Sequence, residues 1–281
     1  MKTETQLTFE STRKLVETKD YKIQINEAGK GHPIIMIHGG GAGATGWSNY
    51  APNIAVLSKK FRCIAVTMPG WGESSAHAFP VSRHGVASLK QLIDALGIDR
   101  AAFVGNSMGG GVSAAFAVEH EARVSHLITM GIGGLPGMNV LQAGGLSEGL
   151  RILVQAYEDP SPHNMKRFAQ IMCYDQSMAT DELAQQRSDQ ARRFPEHLEN
   201  FRESFGQPFP ATDVPRLLAL KVPTLVIHGR DDRVSHFEAS LRAVAMIPNS
   251  RMVLINRCGH WVQLEHSAEF NRLVDEFVSN N

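Results

Sequence analysis

Gly105-Asn106-Ser107-Met108-Gly109 fits G-x-S-x-G, in which a serine sits on a sharp turn from a strand into a helix and its hydroxyl stands out over the end of a sheet. The neighbouring residues supply both elements. Ala101 to Val104 is a short apolar run of strand character, and Gly109 to Val118, rich in Ala and Val, reads as a helix. The flanking glycines leave room for a strained backbone. A merely structural Gly-rich turn is the alternative, and this context argues against it.

Working outward, similar runs recur at Ile34 to Ile37, Cys63 to Val66, Leu127 to Met130, Thr224 to Ile227 and Met252 to Ile255. Unalternating apolar runs of this length, bounded by Gly, Pro or charge, predict parallel strands covered on both faces. Between them lie segments with helical spacing, such as Val86, Leu89, Leu92, Ile93 and Leu96, and later Phe270, Leu273, Val274 and Phe277. Strand and helix alternate, so the chain is α/β. The alternation stops between about Gly137 and Pro210, where the sequence turns Met-, Gln- and Arg-rich and shows no strand. The expected organisation is therefore an α/β core in two parts, 1–136 and 211–281, with a helical insertion, 137–210, set as a cap on the carboxyl edge of the sheet, where open α/β sheets bind ligands. A separately folding helical domain with its own partner is the other reading.

A serine hydroxyl needs a base within hydrogen-bond reach, and the base needs a group that fixes its tautomer. Gly229-Arg230-Asp231-Asp232 follows the Thr224 strand, and Cys258-Gly259-His260-Trp261 follows the Met252 strand. An acid and His260 would thus meet Ser107 on one edge of the sheet, in the chain order Ser, Asp, His. Asp231 and Asp232 compete for the acid's place. His38-Gly39-Gly40-Gly41 follows the Ile34 strand, and such a glycine run lets backbone N–H groups approach a developing oxyanion. The amides of Gly40 and Met108 are the expected donors, and the chemistry requires no metal or cofactor.

Composition closes off other classes. Among the 281 residues, 43% are hydrophobic and 20% charged, and 28 Lys plus Arg balance 28 Asp plus Glu. No excess of positive charge is available for a nucleic acid or an anionic membrane. Cys63, Cys173 and Cys258 do not form C-x-x-C, which suits a reducing compartment and cysteines acting as small core hydrophobes. Residues 1–20 contain no apolar secretory stretch, and no run approaches the length of a membrane span, so a cytoplasmic protein is expected. Gly41-Ala42-Gly43-Ala44-Thr45-Gly46 is literally the dinucleotide pattern G-x-G-x-x-G, yet the next strand ends at Thr67-Met68-Pro69 with no acid to hold a ribose.

These motifs resemble the α/β-hydrolase superfamily and, within it, the meta-cleavage product hydrolases, which cut carbon–carbon bonds in ring-fission products of aromatic degradation. The broader likeness rests on the nucleophile turn, the acid, the histidine and Met68-Pro69-Gly70-Trp71-Gly72-Glu73-Ser74. The narrower one rests on His38-Gly39-Gly40-Gly41-Ala42-Gly43-Ala44 leading into Gly46-Trp47-Ser48-Asn49-Tyr50, on Gly105 to Gly110, and on Cys258-Gly259-His260-Trp261. The family's G-x-x-D pattern selects Asp232 as the acid. The resemblance implies an α/β-hydrolase fold with an inserted cap, a homo-oligomer, and a small-molecule anionic dienoate substrate. It also implies substrate contacts from Asn49, Asn106, Arg187 and Trp261, with Arg187 reaching from the cap to the substrate carboxylate as a two-pronged guanidinium clamp. Thr67, where the family has an acid, and His236, where it commonly has proline, depart from the pattern.

The reaction that the resemblance implies is serine-dependent hydrolysis of a 2-hydroxy-6-oxohexa-2,4-dienoate-type compound to a carboxylic acid and 2-hydroxypenta-2,4-dienoate. An ordinary carboxylesterase would use the same serine, acid and base. A hydrolase-fold small-molecule receptor is the rival from another class.

Overall fold

The computed structural model describes residues 7–76, 81–132, 140–141, 144–204 and 213–280. Among these residues eight strands form one sheet: β1 (Arg13–Glu17), β2 (Lys22–Ala28), β3 (Pro33–Ile37), β4 (Arg62–Thr67), β5 (Ala101–Asn106), β6 (Val124–Met130), β7 (Thr224–Gly229) and β8 (Ser250–Ile255). Their order across the sheet is β1-β2-β4-β3-β5-β6-β7-β8. From β4 to β8 every neighbouring pair is parallel, while β2 runs antiparallel to both β1 and β4.

All six apolar runs lie in strands, and in the five from β3 to β7 burial on both faces explains why they do not alternate; the run in the edge strand β8 is only partly covered, with Leu254 exposed. Ile35 and Ile37 of β3 and Phe103 of β5 enter one core, under the helices Val81–Ala95 and Met108–Glu119; Ile34, Met36 and Val104 enter the opposite core, under the helices Gly46–Leu57 and Ser267–Asn280. Each such side chain contributes about 2 kcal/mol of burial free energy, so both faces favour apolar residues. The two helices expected from Val86 to Ile93 and from Phe270 to Phe277 are present, with Leu96 just beyond the end of the first.

β1 and β2 carry no such run. In β2, Ile23 and Ile25 alternate with Gln24 and Asn26, as antiparallel strands do. The two amides are nevertheless buried: Gln24 Oε1 accepts from the Glu73 amide, and Asn26 Nδ2 donates to Thr12 Oγ1 and to the Phe9 carbonyl.

Within the expected insertion, 137–210, the described residues form four α-helices, Glu148–Glu158, Pro162–Met172, Asp181–Arg192 and Pro195–Ser204, and no strand; a short fifth helix, Val214–Leu218, precedes β7. Their starts are written locally: Ser147, Ser161 and Thr180 each accept the amide of the residue three further on, and Pro162 occupies the first turn. The expected boundaries at 136/137 and 210/211 fall outside the described residues. The helices share an apolar cluster, including Tyr157, Phe168, Met172 and Leu198, that is completed by Ala42, Val234 and Trp261 from loops at the carboxyl ends of β3, β7 and β8. The insertion therefore lies over the edge of the sheet that carries Ser107. No helix among the described residues is long and apolar enough to cross a membrane.

Candidate active site

Ser107 sits between β5 and the helix Met108–Glu119 with φ 55 and ψ −115, a conformation that L-residues rarely adopt. The residues two positions away on either side must be glycine for want of space. A Cβ on Gly105 would stand 2.1 Å from the Gly109 carbonyl oxygen, and one on Gly109 would stand 2.2 Å from that of Ile37. The Ser107 amide donates to the Met130 carbonyl at 2.7 Å, which ties the turn to the end of β6.

Of the two competing acids, the structure brings Asp232 to the histidine. His260 Nδ1 lies 2.6 Å from Asp232 Oδ2, with both residues buried. Asp231 instead lies near the Arg230 guanidinium. Asp232 Oδ1 accepts the amides of Val234 and Ser235, at 2.7 and 3.0 Å, and Oδ2 also meets His228 Nε2 at 3.1 Å. Burial would raise this carboxyl's pKa, but attraction and hydrogen bonds from His260 and His228 outweigh burial and hold it well below the usual carboxylate range. A charged acid on Nδ1 leaves the opposite nitrogen, Nε2, as the one able to accept a proton. His260 and Ser107 line the same cleft, together with Gly40, Asn49, Asn106, Leu153, Arg187 and Trp261 among others, around about 290 Å³ of empty space. The His260 backbone is fixed as well: its amide donates to the Met172 carbonyl, and its carbonyl accepts from Asn106 Nδ2 at 3.0 Å.

The glycine turn after β3 is pinned through its carbonyls. His38 Nδ1 donates to the Gly39 carbonyl at 2.8 Å, Tyr157 Oη to Gly40 at 2.8 Å, Trp71 Nε1 to Gly41 at 3.1 Å, and Arg187 to Ala42 at 2.8 Å. In a trans peptide the C=O and the following N–H point opposite ways, so anchoring the Gly39 carbonyl sets the direction of the Gly40 amide. The His38 tautomer follows from its partners, because Nε2 accepts the Met68 amide at 3.0 Å and Nδ1 therefore carries the proton. Burial pulls this imidazole down to about 4, which keeps it neutral near pH 7. Gly40 lies against the Met108 side chain, and the Met108 amide, first in its helix, has no acceptor within that helix.

Arg187 is buried, 4% exposed, and packed against two rings that meet edge to face, its Cζ 5.0 Å from the centroid of Phe168 and 5.3 Å from that of Trp261. One terminal nitrogen is spent on the Ala42 carbonyl, Nε is buried without a hydrogen-bond partner, and no carboxylate among the described residues pairs with it. Desolvation lowers its pKa to about 10, so it still carries its charge at neutral pH. The other insert arginines look outward: Arg192 and Arg193 are exposed, and Arg202 pairs with Glu199. Asn49 spends its Nδ2 on the Thr45 carbonyl and the Ser48 hydroxyl, while Asn106 Oδ1 is buried without a partner. The G-x-G-x-x-G loop is filled by protein, since a Cβ on Gly43 would stand 2.4 Å from the Arg187 carbonyl oxygen. Among the described residues no group of three or more His, Cys, Asp or Glu side chains is placed to hold a metal ion. All three cysteines are buried and free.

The family model of the α/β hydrolase fold matches residues 32–267. A 2-hydroxy-6-oxo-6-phenylhexa-2,4-dienoate hydrolase of Burkholderia cepacia is 41% identical, with 98% of this chain and 99% of that one aligned. A 2-hydroxy-6-oxononadienedioate/2-hydroxy-6-oxononatrienedioate hydrolase of Cupriavidus pinatubonensis is also 41% identical, with 98% of each chain aligned. The crystal structure of a meta-cleavage product hydrolase from Pseudomonas fluorescens IP01 superposes with a TM-score of 0.85 at 33% identity, covering 95% of this chain and 97% of that one. The chain belongs to the meta-cleavage product hydrolases of the α/β-hydrolase fold.

The two departures from the pattern of this meta-cleavage family have local explanations. Thr67 Oγ1 accepts the Gly46 amide at 3.0 Å, so a neutral hydroxyl supplies an acceptor at the start of the helix Gly46–Leu57. His236 packs on the Phe237 ring, with Nδ1 3.1 Å from Glu238 Oε2. Sequence reasoning passed over Tyr157, Phe168, Trp71 and His228. The first two come from the insertion, Trp71 lies in the Met68 to Ser74 loop that was read only for its family likeness, and His228 sits in no motif that marks it.

Proposed function

We propose that this chain hydrolyses a carbon–carbon bond in a 2-hydroxy-6-oxohexa-2,4-dienoate-type substrate, releasing a carboxylic acid and 2-hydroxypenta-2,4-dienoate. The observation that carries this reading is the buried, carboxylate-free guanidinium of Arg187 in the same cleft as Ser107 and His260. A desolvated cation without a counter-ion is costly unless an anion completes it. A dienoate carboxylate would complete it and a neutral ester would not, which favours this substrate over a carboxylesterase's.

Carbon leaves as a carbanion, so the bond breaks only beside an electron sink. In this reading the dienol is first ketonised, with Arg187 holding the carboxylate and His260 assisting the proton shift. Ser107 gives its proton to His260 and attacks the C6 carbonyl, while the Gly40 and Met108 amides hold the oxyanion and Asp232 stabilises the imidazolium. Collapse expels the stabilised carbanion, which takes up the proton. Water then releases the acyl group from Ser107 as the acid, so one water is consumed per bond cleaved and no metal or cofactor enters.

Residues 137–210 act here as a cap, with Asn49, Asn106 and Trp261 shaping the substrate site. Three buried thiols suit a reducing cytoplasm, the balance of 28 and 28 charges argues against a nucleic-acid or membrane partner, and the family likeness supports a homo-oligomer, which light scattering tests. For the reaction, purified protein is mixed with coloured aryl and alkyl dienoates, bleaching is followed, and the released acid is identified. Ser107→Ala is expected to abolish bleaching; undiminished turnover by that variant overturns the proposal.

A further inference from the structure

Asp232 is gripped by a second buried imidazole that the proposed chemistry does not use. His228, fully buried at the end of β7, places Nε2 2.8 Å from the Ser235 carbonyl oxygen and 3.1 Å from Asp232 Oδ2. A carbonyl only accepts, so Nε2 carries a proton, shared between that carbonyl and the carboxylate. In the neutral ring Nδ1 then accepts from Ser240 Oγ, 2.6 Å away on the helix Glu238–Met246. Asp232 Oδ2 thus receives two imidazole donors, from β7 and from the loop after β8, while Oδ1 is closed by two amides.

We propose that His228 is a positioning residue for the Asp232–His260 pair. It fixes the plane of the carboxylate so that Oδ2 faces His260 Nδ1, and by sharing that oxygen it limits how strongly the acid stabilises the imidazolium formed when Ser107 loses its proton. Ser240 fixes the orientation of His228 in turn. The titratable groups facing Asp232 are His228, His260 and, through space, the buried Cys258 thiol, which burial keeps protonated, while Ser107 and Arg187 share the cleft with His260. This role rests on the serine-hydrolase reading above for its kinetic consequence, but not for its geometry.

The test compares His228→Phe, which keeps a ring and loses the donor, with His228→Gln, whose amide nitrogen can reach the same oxygen. The first readout is the downfield proton of the His260 Nδ1–H···Oδ2 hydrogen bond in the full-length protein, observed by NMR without substrate. It is expected to shift or broaden in His228→Phe and to be retained in His228→Gln. In turnover, His228→Phe is expected to lower kcat about 10- to 100-fold, the effect of one hydrogen bond to a charged group, with KM unchanged. The acid limb of its pH–rate profile should move to higher pH, because a carboxylate with one donor fewer holds the imidazolium more strongly. His228→Gln should recover most of kcat. If His228→Phe does not fold, Ser240→Ala carries the test, with a smaller displacement of the same signal and the same limb. A folded His228→Phe with unchanged signal, kcat and acid limb overturns the proposal, as does a His228→Gln no better than the phenylalanine variant. Failure of the functional reading shows itself separately, as wild-type protein that retains the downfield signal yet cleaves neither dienoate nor ester.

Discussion

Asp232 and Arg187 are both buried charges beside one cleft, and they are treated in opposite ways. The carboxylate has both oxygens engaged, by two imidazoles and two amides, all from the protein. The guanidinium has two aromatic faces and one carbonyl, with Nε left over and no carboxylate among the described residues. A charge whose partners are complete before any ligand arrives works as a fixed part of the machinery. A charge left incomplete is a site waiting for its counter-ion, and the protein bears the cost until it comes.

Asp232→Asn is the hardest blow to the completed side. The amide presents the wrong hydrogen-bonding pattern to Nδ1, and kcat should fall by roughly 10⁴ for dienoate and ester alike while the fold persists. Single-turnover kinetics on both substrates checks this. Loss of one activity only would break the comparison.

On the open side, Arg187→Ala should lower kcat/KM for the dienoate by about 10²- to 10³-fold, yet change cleavage of a small neutral ester only a few-fold. Equal losses would point to an esterase. Arg187→Met should in addition raise Tm in the absence of ligand, since it removes an uncompensated charge. A fall in Tm measured by calorimetry would contradict the unfinished-charge reading.

His38 sharpens the ground between the two. Its folded pKa of about 4 lies below the unfolded value of 6.5, so the unfolded chain binds the extra proton and stability falls as pH drops from 6.5 towards 4. The loss is up to about 3 kcal/mol from this residue. His32 and His120 are also pulled down by burial and add to the same slope. Asp232 acts in a different window: its lowered pKa contributes stability that is lost only below about pH 4. Urea titrations from pH 7 to 4.5 should show the slope, and His38→Gln should flatten it; an unchanged slope in that variant sinks the assignment.

The smallest effect belongs to Tyr157→Phe. Losing the hydrogen bond to the Gly40 carbonyl should cost about 1 kcal/mol of turn stability and at most about tenfold in kcat. Dienoate and ester should suffer equally, because oxyanion donors serve both, and a preference for either measured in paired assays would assign Tyr157 to substrate binding instead.

What was legible in the sequence is what is local. Ser107, the Asp231–Asp232 pair, His260 and the glycine turn each lie just beyond an apolar run, so strand ends announce them, while the choice of Asp232 over Asp231 came from the family pattern. Five of the six runs were visible because two-sided burial removes polar residues, the run in β8 being apolar though only partly covered, whereas β2 hides its strand behind Gln24 and Asn26, whose partners lie elsewhere. Arg187 was singled out by family likeness; nothing local separates it from Arg192, Arg193 or Arg202, and only packing against Phe168 and Trp261 does. Tyr157 and His228 act through contacts made by folding, the first with a carbonyl 117 positions away in the chain, and no spacing rule reports that.

The pins on the glycine turn come from both parts of the chain. Tyr157 and Arg187 of the insertion grip the Gly40 and Ala42 carbonyls, while His38 and Trp71 of the core grip Gly39 and Gly41. Any outward swing of the insertion would strip two of the four anchors from the glycine turn. On the proposed reading, the fit of the insertion and the aim of the Gly40 amide would then rise and fall together.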